Sequence, residues 1–394
     1  MSNVKPVRVL YVEGNPDGTV GGSYFSLLFL VRGLDRQRYE PIVVFAADNP
    51  LIPRFHAAGI ETRVVPPGRP VRLPGGRLGR LAAQVPNFFR GFVAEPRALA
   101  ARLRAERIGL VHLNNSILRN HGWMMAARLA GIPCLTHERG INPAFSTRAR
   151  LLARGLRAVI CISAAVHENF RRCGLGHLPL VTIPNGLDPA DMTVTRSREA
   201  VLDELGVPPG RLVVGIVGNI RRWKGQEVVV RAMGRLRDSA PDVVLLLIGD
   251  TARDDAAYRR HLDSLVAELG LANRVVITGY RSDVADCVNA LDVMIHASTE
   301  PEPFGRVLLE GMALRKPLVA SRGGAVPEIV VDGETGLLFE PGNADDLARA
   351  LGELVSDPAR RARFGEAGYR RLIHEFGLDR NVERTQNLYA SLGL

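Results

Sequence analysis

The sequence predicts an α/β protein of two domains, each built on a parallel β-sheet covered by helices. Its 394 residues are enough for two or three domains of roughly 150 residues each. Short apolar runs alternate with longer amphipathic stretches, which is typical of buried parallel strands joined by crossover helices. The region 185–211, rich in Pro, Asp, Arg and Thr, interrupts this alternation before a new strand begins. We expect ligands at the carboxyl ends of the strands, in a cleft between the two facing sheets.

The apolar runs define two series of strands. The first series is Val7–Val12, Pro41–Ala46, Glu61–Val65, Leu110–Leu113, Pro133–His137, Ala158–Ser163 and Leu180–Ile183. The second is Leu212–Gly218, Val243–Gly249, Val275–Thr278, Val293–His296, Pro317–Ala320 and Gly336–Phe339. Helices are expected at Tyr24–Leu34, Trp123–Ala130, Lys224–Leu236, Tyr258–Leu269, Asp345–Leu354 and Asn381–Leu392. We therefore expect an N-terminal domain at 1–190, a C-terminal domain at 191–375, and a last helix within 376–394 that packs back on the N-terminal domain.

The composition excludes several classes of protein. With 46% hydrophobic and 23% charged residues, the chain is not disordered, collagen-like or a coiled coil. No apolar run approaches the roughly 18 residues of a membrane-spanning helix, and we expect no secretory leader. The four cysteines lack CxxC spacing, as expected of a reduced, cytoplasmic protein without structural zinc. The net charge of +10 suits nucleic acid, an anionic membrane or phosphorylated ligands.

The stretch 298–313 combines two carboxylates with the start of a helix. Glu302 and Glu310 are separated by seven residues, and Gly305 between them allows a close approach of the backbone to a ligand. The first amides of the helix would form an anion site. Two carboxylates around such a site suit a nucleotide-sugar, which carries hydroxyls on either side of a phosphate. The alternative is that Glu310 only pairs with a helix-face arginine and Glu302 is solvated. The helix amides predicted to form the anion site are those of Arg306, Val307 and Leu308.

A lysine lies in the loop 218–226, between a strand and a helix. Lys224 is one of only three lysines in the chain, with Lys5 and Lys316. Its ammonium could stabilise the negative charge that grows on a diphosphate leaving group. The alternative is a solvated loop lysine.

These stretches resemble glycosyltransferase family 4, retaining enzymes of the GT-B fold with a Glu-x7-Glu motif. The resemblance extends through 323–328, 331–341 and 181–188 and is dense from about Val181 to about Pro358. It implies two Rossmann-like domains that face each other across a cleft. It also implies transfer of a sugar, with retention, from a UDP- or GDP-type nucleotide-sugar to a hydroxyl of a glycan or lipid-linked acceptor. We expect a role in cell-envelope polysaccharide or glycolipid synthesis, without a cofactor.

The resemblance assigns roles to the motif residues. Glu302 would hold hydroxyls of the donor sugar, and Glu310 would hold the ribose. The amides that follow Phe304 would contact the sugar and the diphosphate. Glu302, Lys224 and His137 are the expected catalytic residues.

One position of the donor site departs from the family pattern. Asn219 occupies the position of a family arginine that contacts the diphosphate. Either Arg221 or Arg222 supplies the missing cation, or Asn219 donates a neutral hydrogen bond. Donor specificity is expected to depend on the loops around Gly305 and around Tyr280 and Arg281.

The N-terminal domain contributes a glycine pair and three polar strand-end residues. Gly21 and Gly22 precede a helix, so their amides could face phosphate; the pattern is not GxGxxG, which disfavours a dinucleotide-dependent oxidoreductase. His137 ends a strand where family members carry a histidine beside the donor sugar. His112 and Asn114 resemble a family segment that lines the cleft, and we expect them to contact the acceptor.

We expect no metal site. The segment Asp283–Asp286 is not the Asp-x-Asp of metal-dependent transferases. The charge of the leaving group would then be met by Lys224, arginine and helix amides.

The stretch 69–107 is strongly basic. It holds nine arginines and two acids, Glu95 and Glu106, and places three phenylalanines around Arg90. Arginines interleaved with aromatics are typical of segments that bind anionic lipid, so we expect a peripheral position on the inner face of the cell membrane. The alternative is a solvated basic helix whose phenylalanines pack on the domain. Nucleic-acid binding is disfavoured, because no recognised module accompanies the charge.

Two other functions compete with sugar transfer. A GT-B nucleotide-sugar epimerase or phosphorylase would use the same fold. A membrane-peripheral binding protein with a degenerate site is also conceivable, but Glu302, Glu310 and Lys224 are all present.

Overall fold

The computed structural model describes residues 5–16, 20–68, 72, 74, 76, 82–251 and 255–394. The chain divides into two compact units. The first unit consists of Met1–Gly186 together with Leu378–Leu394, and the second of Leu187–Gly377. The polypeptide thus leaves the first unit after Gly186 and returns to it at Leu378.

In its described part, the first unit is built on a seven-stranded parallel sheet. The strands are β1 (Val7–Glu13), β2 (Tyr39–Phe45), β3 (Glu61–Val64), β4 (Leu110–Leu113), β5 (Cys134–Glu138), β6 (Ala158–Cys161) and β7 (Leu180–Thr182). Their order is β3-β2-β1-β4-β5-β6-β7, with β1 paired to both β2 and β4. The direction of winding reverses beside β1, and such a switch point leaves a crevice at the carboxyl ends of the strands.

Helices join the strands of the first unit. They are α1 (Gly22–Gly33), α2 (Ile52–Ala57), α3 (Gln84–Phe89), α4 (Glu95–Ala105), α5 (His121–Ala130), α6 (Thr147–Ala153) and α7 (Ala164–Arg172). A π-helical turn, Arg90–Ala94, connects α3 to α4. Ser146 and Ser163 start α6 and α7 by accepting hydrogen bonds from backbone amides of the first turn, which is the usual role of serine at an N-cap.

The second unit is built on a six-stranded parallel sheet in the order β10-β9-β8-β11-β12-β13. The strands are β8 (Leu212–Val217), β9 (Val243–Ile248), β10 (Val275–Ile277), β11 (Val293–His296), β12 (Leu318–Ser321) and β13 (Gly336–Phe339). The helices are α8 (Arg198–Glu204), α9 (Gln226–Arg235), α10 (Ala256–Glu268), α11 (Val284–Asn289), α12 (Arg306–Ala313), α13 (Val326–Ile329), α14 (Ala344–Ser356) and α15 (Pro358–Phe376). Every residue of β9 is buried, as a strand needs to be when helices cover both faces of its sheet.

The predicted class, two parallel α/β sheets, is confirmed, and the ends of the strands differ from those of the predicted runs by at most two residues. The central apolar runs, such as β4 and β11, form strands whose residues are all buried, because helices remove both of their faces from water. Of the basic stretch 69–107, residues 69–71, 73, 75 and 77–81 lie outside the described residues.

The last helix, α16 (Leu378–Ser391), belongs to the first unit. The hydroxyl of its buried Tyr389 lies 2.7 Å from that of Tyr11 in β1 and hydrogen-bonds to the ring of His112 in β4. Asn381 donates to the carbonyl of Pro184 over 2.6 Å. The end of the chain therefore completes the core that its first strands begin.

We expect Tyr389→Phe to destabilise the first unit by about 1–3 kcal/mol, because it leaves the Tyr11 hydroxyl and the His112 ring with an unsatisfied buried polar group. The two tryptophans, Trp123 and Trp223, lie in different units. Urea denaturation followed by Trp123 fluorescence in a Trp223→Phe background would therefore report on the first unit.

Tyr280→Phe is the matched control, since Tyr280 is 79% exposed and its loss should change stability by less than about 0.5 kcal/mol. Equal urea midpoints for the two variants would show that the contacts of the Tyr389 hydroxyl do not stabilise the unit.

Candidate active site

Lys224 and Glu302 meet at the carboxyl ends of β8 and β11. The Nζ atom of Lys224 donates to Oε2 of Glu302 over 2.8 Å. The Ser298 hydroxyl donates to the same oxygen over 3.0 Å, and Nε2 of His296 lies 3.3 Å from it. Glu302 is only 8% exposed. The two residues predicted to act on the sugar and on the diphosphate are thus paired with each other in this structure.

The electrostatic surroundings keep Glu302 ionised. Burial alone would raise the pKa of its carboxyl group, but the hydrogen bond from His296 and the positive charge of Lys224 outweigh burial and lower the pKa to about 2. The carboxylate is therefore an acceptor of hydrogen bonds throughout the physiological pH range.

Backbone contacts hold the loops of this pair together. The amide of Thr299 donates to the carbonyl of Trp223 over 2.8 Å, and the amide of Ala325 donates to the carbonyl of Glu302 over 2.8 Å. Gly324 has φ +59°, and a Cβ atom there would lie 2.2 Å from the Glu302 carbonyl oxygen. This position requires glycine, which gives the segment 323–328 a structural purpose: it supports the loop of Glu302.

The side chain of Lys224 also contacts an aromatic ring. Its Nζ lies 4.0 Å from the centre of the Trp223 ring, within the range of a cation–π interaction. The next residue, Gly225, has φ +74°, and a Cβ atom would lie 1.9 Å from the Ala297 carbonyl oxygen. The lysine is thus fixed by the loop of β11 on one side and by its neighbouring tryptophan on the other.

Glu310, one turn inside α12, is buried and accepts a hydrogen bond from Arg306 over 2.6 Å. The alternative interpretation, that Glu310 pairs with an arginine of its own helix, therefore agrees with this contact. It uses one carboxylate oxygen, Oε1, and leaves Glu310 beside the first turn of the helix.

The predicted set of helix amides needs a correction. The amide of Leu308 already donates to the carbonyl of Gly305 over 2.9 Å, so it cannot also bind an anion. The side chains of Phe304 and Leu308 are buried, with the Phe304 ring 6.2 Å from that of Phe376; they belong to the core. The amide of Val307 has no acceptor inside the helix, and no side chain caps the helix.

The loop after β8 distinguishes the candidate cations. Asn219 is exposed, and its carbonyl accepts a hydrogen bond from Gln226 over 3.1 Å. The guanidinium of Arg222 lies over the Tyr258 ring at 4.9 Å. Within the described part of the chain, no hydrogen bond, ion pair or ring contact engages the side chain of Arg221. The two arginines thus differ in that the guanidinium of Arg222, and not that of Arg221, contacts an aromatic ring.

Arg281 was expected to shape the donor loop, and in this structure its contacts are with the protein. It donates to Asp283 over 2.6 and 2.8 Å and to Glu204 over 2.5 Å. These hydrogen bonds raise the pKa of Arg281. Its guanidinium ties α8 to the loop before α11, whereas the neighbouring Tyr280 is largely exposed. Arg281 thus has a structural role in this loop, and its part in donor specificity stays a prediction.

In the first unit, His112 and His137 form a buried pair. Nε2 of His112 lies 2.7 Å from Nδ1 of His137, the rings stack with centres 4.8 Å apart, and Nδ1 of His112 hydrogen-bonds to Tyr389. Burial, followed by the charge of Arg139, lowers the pKa of both histidines well below the ordinary value. Both ring nitrogens of His112 are used inside the protein, and its contact with an acceptor stays a prediction. His112 orients His137.

Asn114 is also buried and fully engaged. Its Nδ2 donates to Glu13 over 2.6 Å and to the Ser23 carbonyl over 3.2 Å, and its Oδ1 accepts from Arg139 over 2.7 Å. In this structure Asn114 supports the carboxyl ends of β1 and β5, and its contact with an acceptor stays a prediction. Burial raises the pKa of Glu13, and the hydrogen bond from Asn114 and the charge of Arg139 only partly offset it.

The glycine pair lies where α1 begins. Gly21 precedes the first turn with an extended backbone, and no side chain caps the helix. Gly21 and Gly22 are both exposed, and open space surrounds the position of a Cβ atom on Gly21. Packing does not require glycine at position 21.

Sequence reasoning missed Glu13 and Arg139, the charged residues around Asn114. It also missed His296 and Ser298, which surround Glu302. Glu13 ends β1 and Glu138 ends β5. A charged residue at or directly after the carboxyl end of an apolar strand is the signal that could have identified Glu13 and Arg139. Among the described residues, no group of three or more His, Cys, Asp or Glu side chains is placed to hold a metal ion.

Two family models match the chain. The model "Glycosyl transferases group 1" matches residues 197–371, and the model "Glycosyltransferase Family 4" matches residues 20–191. The first model matches the second unit, and the second model matches mainly the first unit.

Among curated proteins, the chain is 30% identical to alpha-maltose-1-phosphate synthase of Mycolicibacterium smegmatis over 345 residues, which are 76% of this chain and 87% of the relative. It is 37% identical to D-inositol 3-phosphate glycosyltransferase of Stackebrandtia nassauensis, over 46% of this chain and 42% of the relative. It is 31% identical to the lipopolysaccharide core biosynthesis mannosyltransferase LpcC of Rhizobium leguminosarum, over 59% of this chain and 65% of the relative. With the last two relatives, the match spans less than two thirds of their length.

Solved structures agree on the fold. Anabaena Alr3699/HepE in complex with UDP and glucose has a TM-score of 0.80 at 24% identity and covers 98% of this chain and 100% of its own. Sucrose-phosphate synthase from Thermosynechococcus elongatus has a TM-score of 0.77 at 23% identity, covering 98% and 99%. The predicted GT-B class is confirmed, and the chain belongs to glycosyltransferase family 4.

Proposed function

We propose that this protein transfers a sugar from a nucleotide-sugar to a hydroxyl of a glycan or lipid-linked acceptor. One observation carries the proposal: a buried, ionised carboxylate, Glu302, contacts the ammonium of Lys224 over 2.8 Å, and the uncapped start of α12 with Glu310 follows in the same loop. Such a site offers cations and amides to a diphosphate and carboxylates to the hydroxyl groups on either side of it.

The donor would replace the contact between Lys224 and Glu302. Lys224 would move to the diphosphate, together with Arg221 and the amide of Val307. Glu302 would then accept hydrogen bonds from the donor sugar, and Glu310 from the ribose. The diphosphate would replace Glu302 as the partner of Lys224, and the sugar hydroxyls would replace Lys224 as the partner of Glu302. The exchange therefore leaves neither charged group buried and unpaired.

We propose that the reaction retains the configuration of the anomeric carbon. Glu302 is a poor covalent nucleophile, since its pKa is about 2 and the same oxygen accepts from Lys224 and Ser298. The bond between the anomeric carbon and the diphosphate oxygen breaks, and the acceptor oxygen attaches on the same face. The acceptor proton passes to the departing diphosphate. Lys224 and Arg221 stabilise the leaving charge, so no metal ion is required.

The relatives indicate the chemical classes of the substrates. The structural neighbour holds UDP and glucose, and a Mycolicibacterium smegmatis relative, 29% identical, is named a GDP-mannose-dependent mannosyltransferase. Others act in lipopolysaccharide core biosynthesis, according to their names. We propose a UDP- or GDP-sugar donor and an acceptor of cell-envelope polysaccharide or glycolipid synthesis, with the enzyme acting in the cytoplasm.

The function is tested by thermal-shift screening against UDP, GDP and their sugars, followed by a transfer assay with glycan and glycolipid acceptors in excess EDTA. One nucleotide class should raise the melting temperature, transfer should persist in EDTA, and the product should keep the anomeric configuration of the donor by NMR. Release of an altered free sugar without an acceptor would identify an epimerase instead. A rate that EDTA abolishes and manganese restores would contradict metal independence.

Glu302→Gln should lower the turnover number at least a hundredfold, because it removes the charge that responds to the sugar in the transition state. The same change should leave the affinity for bare UDP or GDP unchanged or several-fold tighter, since Lys224 is released from its partner. Lys224→Met should weaken nucleotide binding about tenfold or more, as expected for the loss of a charge-assisted hydrogen bond.

Glu300→Gln is the matched control, because Glu300 is exposed and lies two residues away in the same loop. Titration calorimetry and initial rates separate binding from turnover. Weaker binding of the nucleotide to the Glu302→Gln variant would show that the pair does not exchange partners.

We also propose that the enzyme docks on anionic membranes. An apolar stripe on α3 and the following turn consists of Val85, Phe88, Phe89 and Phe92, at the i, i+3, i+4, i+7 spacing of one helix face. Phe88 and Phe89 are each 60% exposed, and Arg148 lies 4.1 Å above the Phe92 ring. In the part of the chain that the structure describes, none of the helices is long and apolar enough to cross a bilayer. The stripe and its arginine suit the interface of an acidic membrane.

A Phe88→Ser/Phe89→Ser double variant should bind vesicles of acidic lipid at least tenfold more weakly than wild type, because each phenylalanine that leaves water contributes about 1.5–3 kcal/mol. The residual binding should be abolished by salt. A Leu129→Ser/Leu151→Ser double variant is the control, since both leucines are exposed elsewhere in the first unit. Equal vesicle binding by the two double variants would contradict membrane docking through the stripe.

A further inference from the structure

Two polar residues beside Glu302, His296 and Ser298, are almost completely buried. His296 is the last residue of β11 and is 3% exposed, and Ser298 is 1% exposed. Polar side chains at such positions are costly unless they are hydrogen-bonded. Both contact the same atom, Oε2 of Glu302, at 3.0 Å from the Ser298 hydroxyl and 3.3 Å from Nε2 of His296. Because both are buried, their role lies in what they do to Glu302.

The two oxygens of the Glu302 carboxylate have different surroundings. Oε2 accepts the hydrogen bonds of Lys224, Ser298 and His296. Within the described part of the chain, Oε1 has no hydrogen bond, and it is not one of the enclosed polar atoms that lack a partner. It therefore reaches the surface. The protein thus holds the carboxylate through one oxygen and leaves the other to a ligand.

The hydrogen-bond network assigns the proton of the neutral His296 ring. Nε2 faces the Glu302 carboxylate, which can only accept, and lies 3.3 Å from the hydroxyl oxygen of Ser298, whose single proton is already given to Glu302. Nε2 therefore carries the proton. Nδ1 lies 3.4 Å from the Ser321 hydroxyl, which is then the donor of that contact. His296 thus donates to Glu302, and Ser321 fixes the direction of the ring.

The sheet fixes His296, whereas Glu302 lies in a loop. β11 pairs with β8 on one side and with β12 on the other, and His296 is in register with Ala320, the residue before Ser321. A side chain on a strand is held more precisely than one on a loop. The imidazole can therefore serve as a fixed point that orients the carboxylate of Glu302.

This fixed point matters when Lys224 leaves Glu302 in the proposed exchange of partners. His296 and Ser298 are then the protein groups that still contact Oε2. Burial raises the pKa of Glu302, and the hydrogen bond from His296 counteracts that effect. The charged group in contact with the imidazole is Glu302, which Lys224 also contacts, and the other polar neighbours are neutral serine hydroxyls. Without His296, the carboxylate would lose its orientation and gain a proton more readily.

We propose that His296 is a positioning residue for the transfer reaction: it holds Oε2 of Glu302 through Nε2, so that Oε1 meets the hydroxyls of the donor sugar. The inference rests on the proposed function and adds the residue that orients the carboxylate of its sugar site. His296 itself contacts neither the sugar nor the diphosphate. A change at His296 should therefore affect turnover and not the binding of a bare nucleotide.

The test compares His296→Gln with His296→Asn in the full chain, with UDP-glucose and GDP-mannose as donor probes. The amide nitrogen of glutamine reaches about as far as Nε2 of histidine, whereas that of asparagine ends near the position of Nδ1. His296→Asn should lower kcat about tenfold to a hundredfold, as expected for the loss of a hydrogen bond to a charged group. His296→Gln should retain most of the turnover, and both variants should bind bare UDP or GDP with wild-type affinity.

His261→Asn is the matched control. Nε2 of His261 in α10 lies 3.0 Å from Oε2 of Glu227 in α9, so the same unit holds a second histidine–glutamate contact that the proposed reaction does not use. This variant should keep the wild-type kcat and pH profile.

The pH dependence gives a readout that packing alone would not move. The profile of kcat reports on groups in the donor complex, where His296 and Ser298 hold Glu302 without Lys224. Loss of the hydrogen bond from His296 raises the pKa of Glu302, so on acidification kcat of His296→Asn should fall at a higher pH than that of His296→Gln. Carbon-13 NMR of the glutamate carboxyl groups measures this pKa in the free protein without turnover. The signal of Glu302 is the one that Glu302→Gln lacks.

Equal kcat values and pH profiles for His296→Gln and His296→Asn would overturn the inference, and so would an unchanged pKa of Glu302 in His296→Asn. Loss of UDP and GDP binding in both variants would also overturn it, since His296 would then act on the fold of the site and not on the orientation of Glu302. If wild type binds neither UDP nor GDP and transfers no sugar, the proposed function itself fails. The NMR measurement still shows in that case whether His296 controls the ionisation of Glu302.

Discussion

The ion pair between Lys224 and Glu302 is the interaction on which the proposed chemistry depends. Two buried charges of opposite sign are stable next to each other only as long as each has a partner. The sequence supplies that arrangement by placing the lysine after β8 and the glutamate after β11, which are neighbours in the sheet, so the loops meet at one edge. A donor with a diphosphate and sugar hydroxyls offers both charges new partners at once. The pair thus prepares the site for a ligand of mixed charge and polarity.

The first unit uses a different principle, a buried polar cluster that is largely neutral. His112 and His137 stack on each other, with the pKa of each lowered by burial, and Tyr389 from the last helix completes the hydrogen bonds. Glu13, Asn114 and Arg139 form the adjoining charged part. Because these groups satisfy one another, they can fix the carboxyl ends of β1, β4 and β5 without contacting a substrate. His137 is oriented by His112, and His112 by the end of the chain.

The sequence could predict the sheets, the helices between them and the loops that carry Glu302 and Lys224, because apolar runs and glycine-rich strand ends are local signals. It could not predict which polar groups meet. Tyr389 hydrogen-bonds to a residue 277 positions earlier, and no local pattern encodes that contact. The amide of Leu308 and the guanidinium of Arg281 looked available, but the structure engages both with nearby groups. Whether such a group already has a hydrogen-bond partner depends on distances in the folded protein, which the spacing of residues in the sequence does not give.

The most direct measurement of the central claim is a crystal structure of the protein with its nucleoside diphosphate. At present Nζ of Lys224 lies 2.8 Å from Glu302. With the nucleotide bound, the account predicts that this distance exceeds 4 Å, that Lys224 contacts a phosphate oxygen, and that Glu302 faces the space for the donor sugar. A nucleotide bound while the pair remains intact, or bound away from the start of α12, would contradict the account.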